Sequence, residues 1–349
     1  VFALSIKKFM HYKDSLNLLK KITLKKALNS FLLWWSYHQS KYAGYSKLKG
    51  KPISIAIEPT TSCNLRCPQC PSGLREFSRP IGMLEPNLFE KTIDQLSPQL
   101  SYLTMYFQGE PFLNKNFLPM VAYANKKNIY TATSSNAHYF TPENAKKTVE
   151  SGLSKVIISI DGITDETYKK YRIGGDLNKV LEGTKELIKQ KKEANSSTPH
   201  IVWQFIVFGH NEHELEEVKK MAHDFGVDEL AIKTAQIYDF TNGSDLLPED
   251  ENYSRYVKEG DSFKIKNKLL NHCWRMWQGC VITWDGLIAP CCFDKDASHR
   301  MGDLKERSFK EIWLGQSYKT FRSKVLNSRK NIDICTNCTE GTKVWAEIE

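Results

Sequence analysis

The chain has 349 residues, 41% of them hydrophobic, a formal charge of +9 and nine cysteines, enough for one large α/β domain with one or two smaller units. Its longest strongly apolar run, residues 31–35, falls far short of the roughly 20 residues a bilayer-spanning helix needs, and no apolar core leads to a small-residue cleavage site, so a cytoplasmic protein is expected. Residues 1–51 hold eleven lysines and the single acid Asp14, a net +10, whereas the remainder carries −1, so no nucleic-acid partner is expected for the body of the chain.

Residues 1–50 read as a basic helical extension. Two helices fall between residues 15 and 38, the second opening at Thr23. In it Leu24, Ala27, Leu28, Phe31, Leu32 and Trp35 recur at the spacing of one apolar face, while Lys20, Lys21, Lys25 and Lys26 supply charge. The first expectation is that this face covers the open edge or the bottom of the domain that follows, with the lysines in solvent. The same pattern suits a peripheral contact at the inner face of a membrane, and an acidic partner or a nucleic acid is a third reading.

From 51 to 240 short apolar runs alternate with amphipathic stretches. Strands are expected at 53–57, 102–107, 129–133, 155–160, 201–208 and 229–233, with helices near 86–96, 117–127, 142–151, 177–192 and 212–225. Thr141 before Pro142 marks a helix start, and Asn211 with Glu214 reads as a capping box. Such a rhythm implies a parallel sheet with helices outside. Curled, it gives a partial (β/α)6 TIM-like barrel, an α/β fold whose site belongs at the C-terminal strand ends. Residues 241–349 change character. A polar linker with a short helix is expected up to about 272, then a hairpin in which Asp285-Gly286 joins 281–284 to 287–290 through a two-residue turn. A helix near 308–325 follows.

The cysteines form two groups separated by about 200 residues: Cys63, Cys67 and Cys70, then Cys273, Cys280, Cys291, Cys292, Cys335 and Cys338. Two tight groups in a chain of this kind read as two metal sites. Cys63, Cys67 and Cys70 follow the first strand directly. Three thiolates at spacings of four and three wrap one loop around a single iron–sulfur cluster and leave one iron open to a ligand; a zinc site or incidental buried thiols is the alternative.

At this point the chain resembles the radical S-adenosylmethionine (SAM) superfamily over residues 52–240. Gln108-Gly109-Glu110-Pro111 at the end of the second strand is similar to the Gly-Gly-Glu motif of that family, with Gln108 in place of the first glycine. The resemblance implies that Gly109 and Glu110 meet the SAM amino group, that Ser134, Ser135 and Asn136 lie where relatives bind ribose, and that Ser159, Asp161 and Arg172 belong to the region that holds the SAM carboxylate. Gln69 stands where the family carries an aromatic residue before the third cysteine, which leaves the adenine contact open. His210, His213, Tyr168 and Tyr171 are expected to be solvated or packed.

The C-terminal segment resembles the SPASM domain or its shorter twitch form, through Cys273, Trp284 to Cys291, Gly302-Asp303-Leu304, Ile312-Trp313 and Cys335 to Cys338. The resemblance implies one fully ligated auxiliary 4Fe–4S cluster on Cys273, Cys291, Cys335 and Cys338. Counting outward from Asp285-Gly286 sets Cys280 across from Cys291, so Cys280 competes with Cys273 for the fourth place; Cys292 is a spare thiol. A structural zinc ribbon is the alternative. Two 4Fe–4S clusters, SAM and a reductant such as flavodoxin or ferredoxin are therefore expected. The implied chemistry is hydrogen abstraction by a 5′-deoxyadenosyl radical, acting on a small-molecule or lipid-linked substrate (a polyol, sugar or lipid head group). Peptide modification is the second choice.

Overall fold

The computed structural model describes residues 12–338 and 345–348; residues 1–11 of the basic extension lie outside that range. Six strands run parallel in sequence order: β1 (Ser54–Ile57), β2 (Tyr102–Thr104), β3 (Tyr130–Ser135), β4 (Lys155–Ser159), β5 (His200–Val207) and β6 (Glu229–Thr234). Helices α1 (Tyr12–Leu19) and α2 (Leu24–Ala43) precede them, and α3 (Pro71–Leu74), α4 (Pro86–Leu96), α5 (Phe117–Lys126), α6 (Pro142–Glu150), α7 (Asp165–Tyr171), α8 (Leu177–Glu193) and α9 (Leu215–Phe225) fall between or after them. Helices α4, α5 and α8 cover the sheet because each brings an apolar stripe to it. Phe89 and Ile93 of α4, Val121 and Ala124 of α5, and Val180 and Leu187 of α8 are fully buried with Leu103, Ile158 and Phe205 of the strands. Each such large side chain contributes roughly 1.5–3 kcal/mol by leaving water. The start signal at Thr141 is realised, its hydroxyl accepting from Asn144 N at 3.3 Å with Pro142 in the first turn.

The C-terminal segment is hydrogen-bonded into the same sheet. β7 (Tyr256–Glu259) and β8 (Ser262–Ile265) form a separate hairpin, in the region where a linker with a short helix was expected; only one 3-10 turn, Glu251–Tyr253, is helical there. β9 (Val281–Ile282) lies parallel to β1 with Ala56 beside Val281, β10 (Leu287–Ala289) and β11 (Gly302–Asp303) follow antiparallel, and β12 (Trp345–Ile348) pairs antiparallel with β6. Both edges of the six-stranded core are thus paired, which moves the sheet's edges to the short strands β11 and β12. α10 (Arg275–Gln278), α11 (Phe309–Trp313), α12 (Gln316–Ser328) and α13 (Asp333–Thr336) complete the segment. The single helix expected at 308–325 is two, broken at Gly315, where a Cβ would meet Glu311 O at 2.7 Å.

The hairpin register also differs from expectation. Ile282 pairs with Ile288 and Val281 with Ala289, so three residues, Trp284, Asp285 and Gly286, make the loop. Gly286 sits at φ 95°, a left-handed position that closes a three-residue hairpin loop. Shifting a register by one residue turns every side chain to the other face. Cys280 is therefore not across from Cys291.

The extension is placed with its faces reversed from the first expectation. α2 opens at Thr23, whose side chain accepts from Lys26 N at 3.3 Å. Its buried residues are Lys26, Asn29, Leu33, Ser36, Tyr37 and Ser40. Lys26 Nζ donates to Asn128 O at 2.5 Å and Lys21 O at 3.1 Å, and burial followed by the charge of Lys21 lowers its pKa to about 8. Asn29 exchanges two hydrogen bonds with the Lys51 backbone. Asp14, on α1, is buried at the start of β3 and β4, bonded to the Tyr130 hydroxyl and paired with Lys155 at 2.6 Å. The polar side of the extension plugs the N-terminal end of the barrel, because that end presents backbone carbonyls and a Lys155, His200 and Glu229 network that only polar side chains can satisfy.

Candidate active site and cysteine centres

Cys63, Cys67 and Cys70 lie on the loop after β1, with α3 starting at Pro71. Each thiol is within electrostatic reach of the others. Arg172 NH1 approaches Cys67 Sγ at 3.7 Å, and Cys70 Sγ lies 4.0 Å from Gln108 Oε1. Burial pushes the Cys63 thiol up to about 12; a coordinated metal centre would hold it as thiolate.

Glu110 is buried beside this loop. Its carboxylate accepts from Ser135 Oγ and Asn136 N, both at 2.8 Å, and from Phe112 N at 3.3 Å. Burial outweighs these bonds and raises its pKa to about 7. Gly109 has φ 72°, and a Cβ there would meet Thr60 O at 2.4 Å, so no other residue lets the chain pass this close to the cysteine loop. Asn136 Nδ2 also donates to Asn64 Oδ1 at 2.8 Å, which latches the end of β3 to the cysteine loop itself. Asp161 accepts from Arg172 Nε at 2.6 Å and from Ile206 N at 2.8 Å. Its carboxylate is occupied with orienting Arg172. Ser134 and Ser159 sit at the same C-terminal strand ends.

Several residues here were missed or misread from sequence. Asn211 does not cap a helix: its side chain donates to Asp161 O and Ile206 O, both at 3.0 Å, and accepts from Phe208 N. Glu214 accepts from Thr167 Oγ1 at 2.6 Å. Glu58 and Arg79 form a buried two-pronged pair at 2.6 and 2.8 Å, and Trp284 N and Lys295 O complete it. That pair fastens the loop after β1 to the C-terminal segment. No local pattern announces it, since its members are 21 residues apart.

In the C-terminal segment Cys291 is within electrostatic reach of Cys273 and Cys335, and Arg329 faces Cys338, Cys273 and Cys335. Arg329 NH2 donates to Cys338 Sγ at 3.1 Å, and NH1 to His272 O at 2.9 Å. Cys280 lies apart, against Tyr318 and Arg322, where burial pushes its thiol up to about 12. Cys292 faces Arg275 at 3.9 Å. Among the described residues no group of three His, Cys, Asp or Glu side chains is placed to hold a single metal ion.

Residues 57–225 match the model of the Radical SAM superfamily, and residues 273–339 match that of the SPASM iron–sulfur cluster-binding domain. The chain is a radical SAM protein with a SPASM domain. It is 25% identical to a tungsten-containing aldehyde ferredoxin oxidoreductase cofactor-modifying protein of Pyrococcus furiosus, over 82% of this chain and 86% of that one. It is 26% identical to the PqqA peptide cyclase of Bradyrhizobium diazoefficiens, over 63% and 57% respectively. Among solved structures it is similar in fold to BtrN in complex with AdoMet and 2-DOIA, with a TM-score of 0.53 at 17% identity, covering 86% of this chain and all of that one.

The radical SAM protein binds SAM and 4Fe–4S clusters, and the donor sets present fit them. Three thiols on the barrel loop leave one iron without a protein ligand, and four gathered thiols in the SPASM domain suit a closed cluster. When bound, the open cluster and SAM supply a one-electron cleavage that yields a 5′-deoxyadenosyl radical. Next to Cys67 and Cys70 lies a cavity of about 310 Å³, bounded by Gln204, Lys233, Tyr238, Arg255 and Lys295 among others. Gln69, in the place of the family's aromatic residue, accepts from Tyr238 N at 3.0 Å, so an aromatic ring from the segment after β6 stands beside that position.

Proposed function

We propose that this radical SAM enzyme abstracts a hydrogen atom from a small, non-peptide metabolite that carries an acidic group, such as a sugar, polyol or lipid head group bearing phosphate or carboxylate, and so oxidises or rearranges it. The observation that carries this reading is the charge of the chamber. Lys233, Arg255 and Lys295 line it, and none of the described residues lining it is acidic. Cationic side chains facing a partly enclosed space favour an anionic ligand. Tyr238, Arg255 and Lys295 cap a space sized for a small molecule.

In this reading Cys63, Cys67 and Cys70 hold the open cluster. Glu110 meets the SAM ammonium, with Ser135 and Asn136 fixing its carboxylate. Ser159 and Arg172 serve the SAM carboxylate, Asp161 orienting the guanidinium, and Ser134 faces the ribose. Cys273, Cys291, Cys335 and Cys338 hold the auxiliary cluster, and a flavodoxin- or ferredoxin-type reductant supplies the electron. The barrel spans 51–240, with the helical extension before it and the SPASM domain after it. A second reading, peptide modification, draws on the similarity to the PqqA peptide cyclase.

The test compares 5′-deoxyadenosine formation by reconstituted protein with phosphorylated sugars, their neutral counterparts and short peptides. Stimulation by acidic compounds, lost in Lys233→Met and Arg255→Met, supports the first reading. Equal stimulation by neutral compounds, or by peptides alone, contradicts it.

A further inference from the structure

The apolar face of α2 points into solvent. Leu24, Leu28, Phe31, Leu32, Trp34 and Trp35 are all exposed, Leu24 by 77%, Phe31 by 57% and Trp35 by 48%. The cause is the reversal described above: Lys26, Asn29, Leu33, Ser36, Tyr37 and Ser40 occupy the opposite, buried side, where Lys26 and Asn29 bond at the N-terminal end of the barrel and Tyr37 packs on Trp274 and Trp277. Leu19 and Ile22, before the helix, and Tyr42, near its end, extend the same exposed character. A helix normally buries its apolar stripe, and a contiguous exposed patch of large apolar side chains marks an interaction surface.

Charge selects the partner. Lys13, Lys20, Lys25, Lys41, Lys47 and Lys49 are exposed around this face. Residues 12–57 contain one acid, Asp14, and it is buried against Tyr130 and Lys155. On α2, Lys25 and Lys41 project at the borders between the buried and exposed faces, at 100° per residue. A second copy of this chain is a poor occupant, because it would bring lysine against lysine with no exposed acid from either segment. An apolar stripe with two tryptophans and flanking lysines matches a surface that is apolar inside and negatively charged at its rim.

We infer that α2 docks the protein on an anionic lipid bilayer, with Phe31, Trp34 and Trp35 entering the boundary of the acyl region and the lysines facing lipid phosphates. The contacts of the extension fix the orientation. Asp14, Lys26 and Asn29 bind at Tyr130, Lys155, Asn128 and Lys51, the N-terminal end of the barrel. The cysteine loop and the cationic chamber lie at the C-terminal strand ends. The chamber therefore opens away from the bilayer, across a strand length of roughly 17 Å plus the helix layer. Docking sets where the enzyme works and leaves its mouth free for a substrate and a reductant from solution.

The experiment is co-sedimentation of full-length, cluster-loaded protein with vesicles of phosphatidylcholine and phosphatidylserine, and with phosphatidylcholine alone, at about 0.05 and 0.5 M salt. Binding to the anionic vesicles is expected, at least tenfold weaker at high salt, where screening is nearly complete. Trp34→Ser/Trp35→Ser and Lys20→Glu/Lys25→Glu should each lose it, while SAM cleavage without substrate stays unchanged, since these side chains are exposed and remote from the cysteine loop. Absence of vesicle binding overturns the inference. So does binding that persists in both variants, or a dimer in solution that the tryptophan variant dissolves, which would make a second copy the occupant.

Discussion

The two cysteine centres differ in the number of thiols that converge and in what stands opposite them. On the barrel loop, three thiols face a buried carboxylate, Glu110, and a guanidinium, Arg172, that Asp161 already orients. In the SPASM domain Arg329 faces Cys273, Cys335 and Cys338, and its NH1 donates to the backbone at Leu270 and His272. In the proposed reading the first arrangement leaves a coordination position and a charged pair for a zwitterionic ligand, and the second is fully ligated by its four thiols. Of the three barrel thiols Cys67 alone is buried, against three of the four in the SPASM domain, and the contrast lies also in donor count and in the buried carboxylate of Glu110 beside the first set. Openness at a metal centre comes from withholding a ligand, and here the withheld ligand's place adjoins the cationic chamber.

The widest separation should come from Cys63→Ala. Loss of one of three thiols should abolish 5′-deoxyadenosine formation, by about a thousandfold or more, while the SPASM iron remains. Cleavage at a tenth of the normal rate would break the assignment of Cys63. Cys273→Ala should do the reverse, removing about half of the iron while leaving SAM cleavage without substrate within a fewfold of normal.

Glu110→Gln sharpens the comparison at the barrel site. Removing a charged hydrogen-bonding partner costs about 1.5–3 kcal/mol, so SAM should bind roughly ten- to a hundredfold more weakly. The pH dependence has a definite sign. Burial raises the Glu110 carboxyl to about 7; below that pH it is protonated and cannot pair with an ammonium. SAM affinity should therefore rise as pH increases through about 7, with proton release on binding, and Glu110→Gln should flatten that profile. A wild-type profile that is flat between pH 6 and 8 would remove Glu110 from the ammonium site.

Arg329→Met should act only at the SPASM centre. It removes the cation beside Cys338 at a cost of about 1–3 kcal/mol, and should make the auxiliary iron easier to extract with a chelator while the barrel iron is retained. The smallest effect belongs to Cys280→Ala, which should leave the iron count unchanged and cost about 1 kcal/mol of stability. Loss of iron in that variant would put Cys280 among the ligands in place of Cys273.

Why Cys280 does not stand across from Cys291, as the two-residue turn implied, shows where sequence reading stops. Asp285-Gly286 does mark a turn, but Gly286 at φ 95° closes a three-residue loop, and that one residue turned Cys280 toward Tyr318 and Arg322. Turn type depends on backbone twist, which residue identity leaves open. The barrel was legible because its strands and helices follow local periodicity, and caps such as Thr23 and Thr141 are local too. The cysteine loop and the Gly109-Glu110 turn were legible because spacing within one loop is enough to state the chemistry. The Glu58–Arg79 pair, the role of Asn211 and the seating of β9 on β1 join distant segments, and no window along the chain contains them. The extension is the sharpest case. Its amphipathic pattern was read correctly, yet Lys26 and Asn29 went inward, because the barrel end offered them hydrogen-bond partners at Asn128 and Lys51.

The contrast between an open and a closed centre is tested most directly by iron and sulfide analysis of anaerobically reconstituted protein beside a Cys63/Cys67/Cys70→Ala variant. Three plus four thiols predict about eight irons and eight sulfides in the first and about four of each in the second. Stoichiometric zinc without sulfide in the parent protein, or a variant that keeps all its iron, would contradict the account.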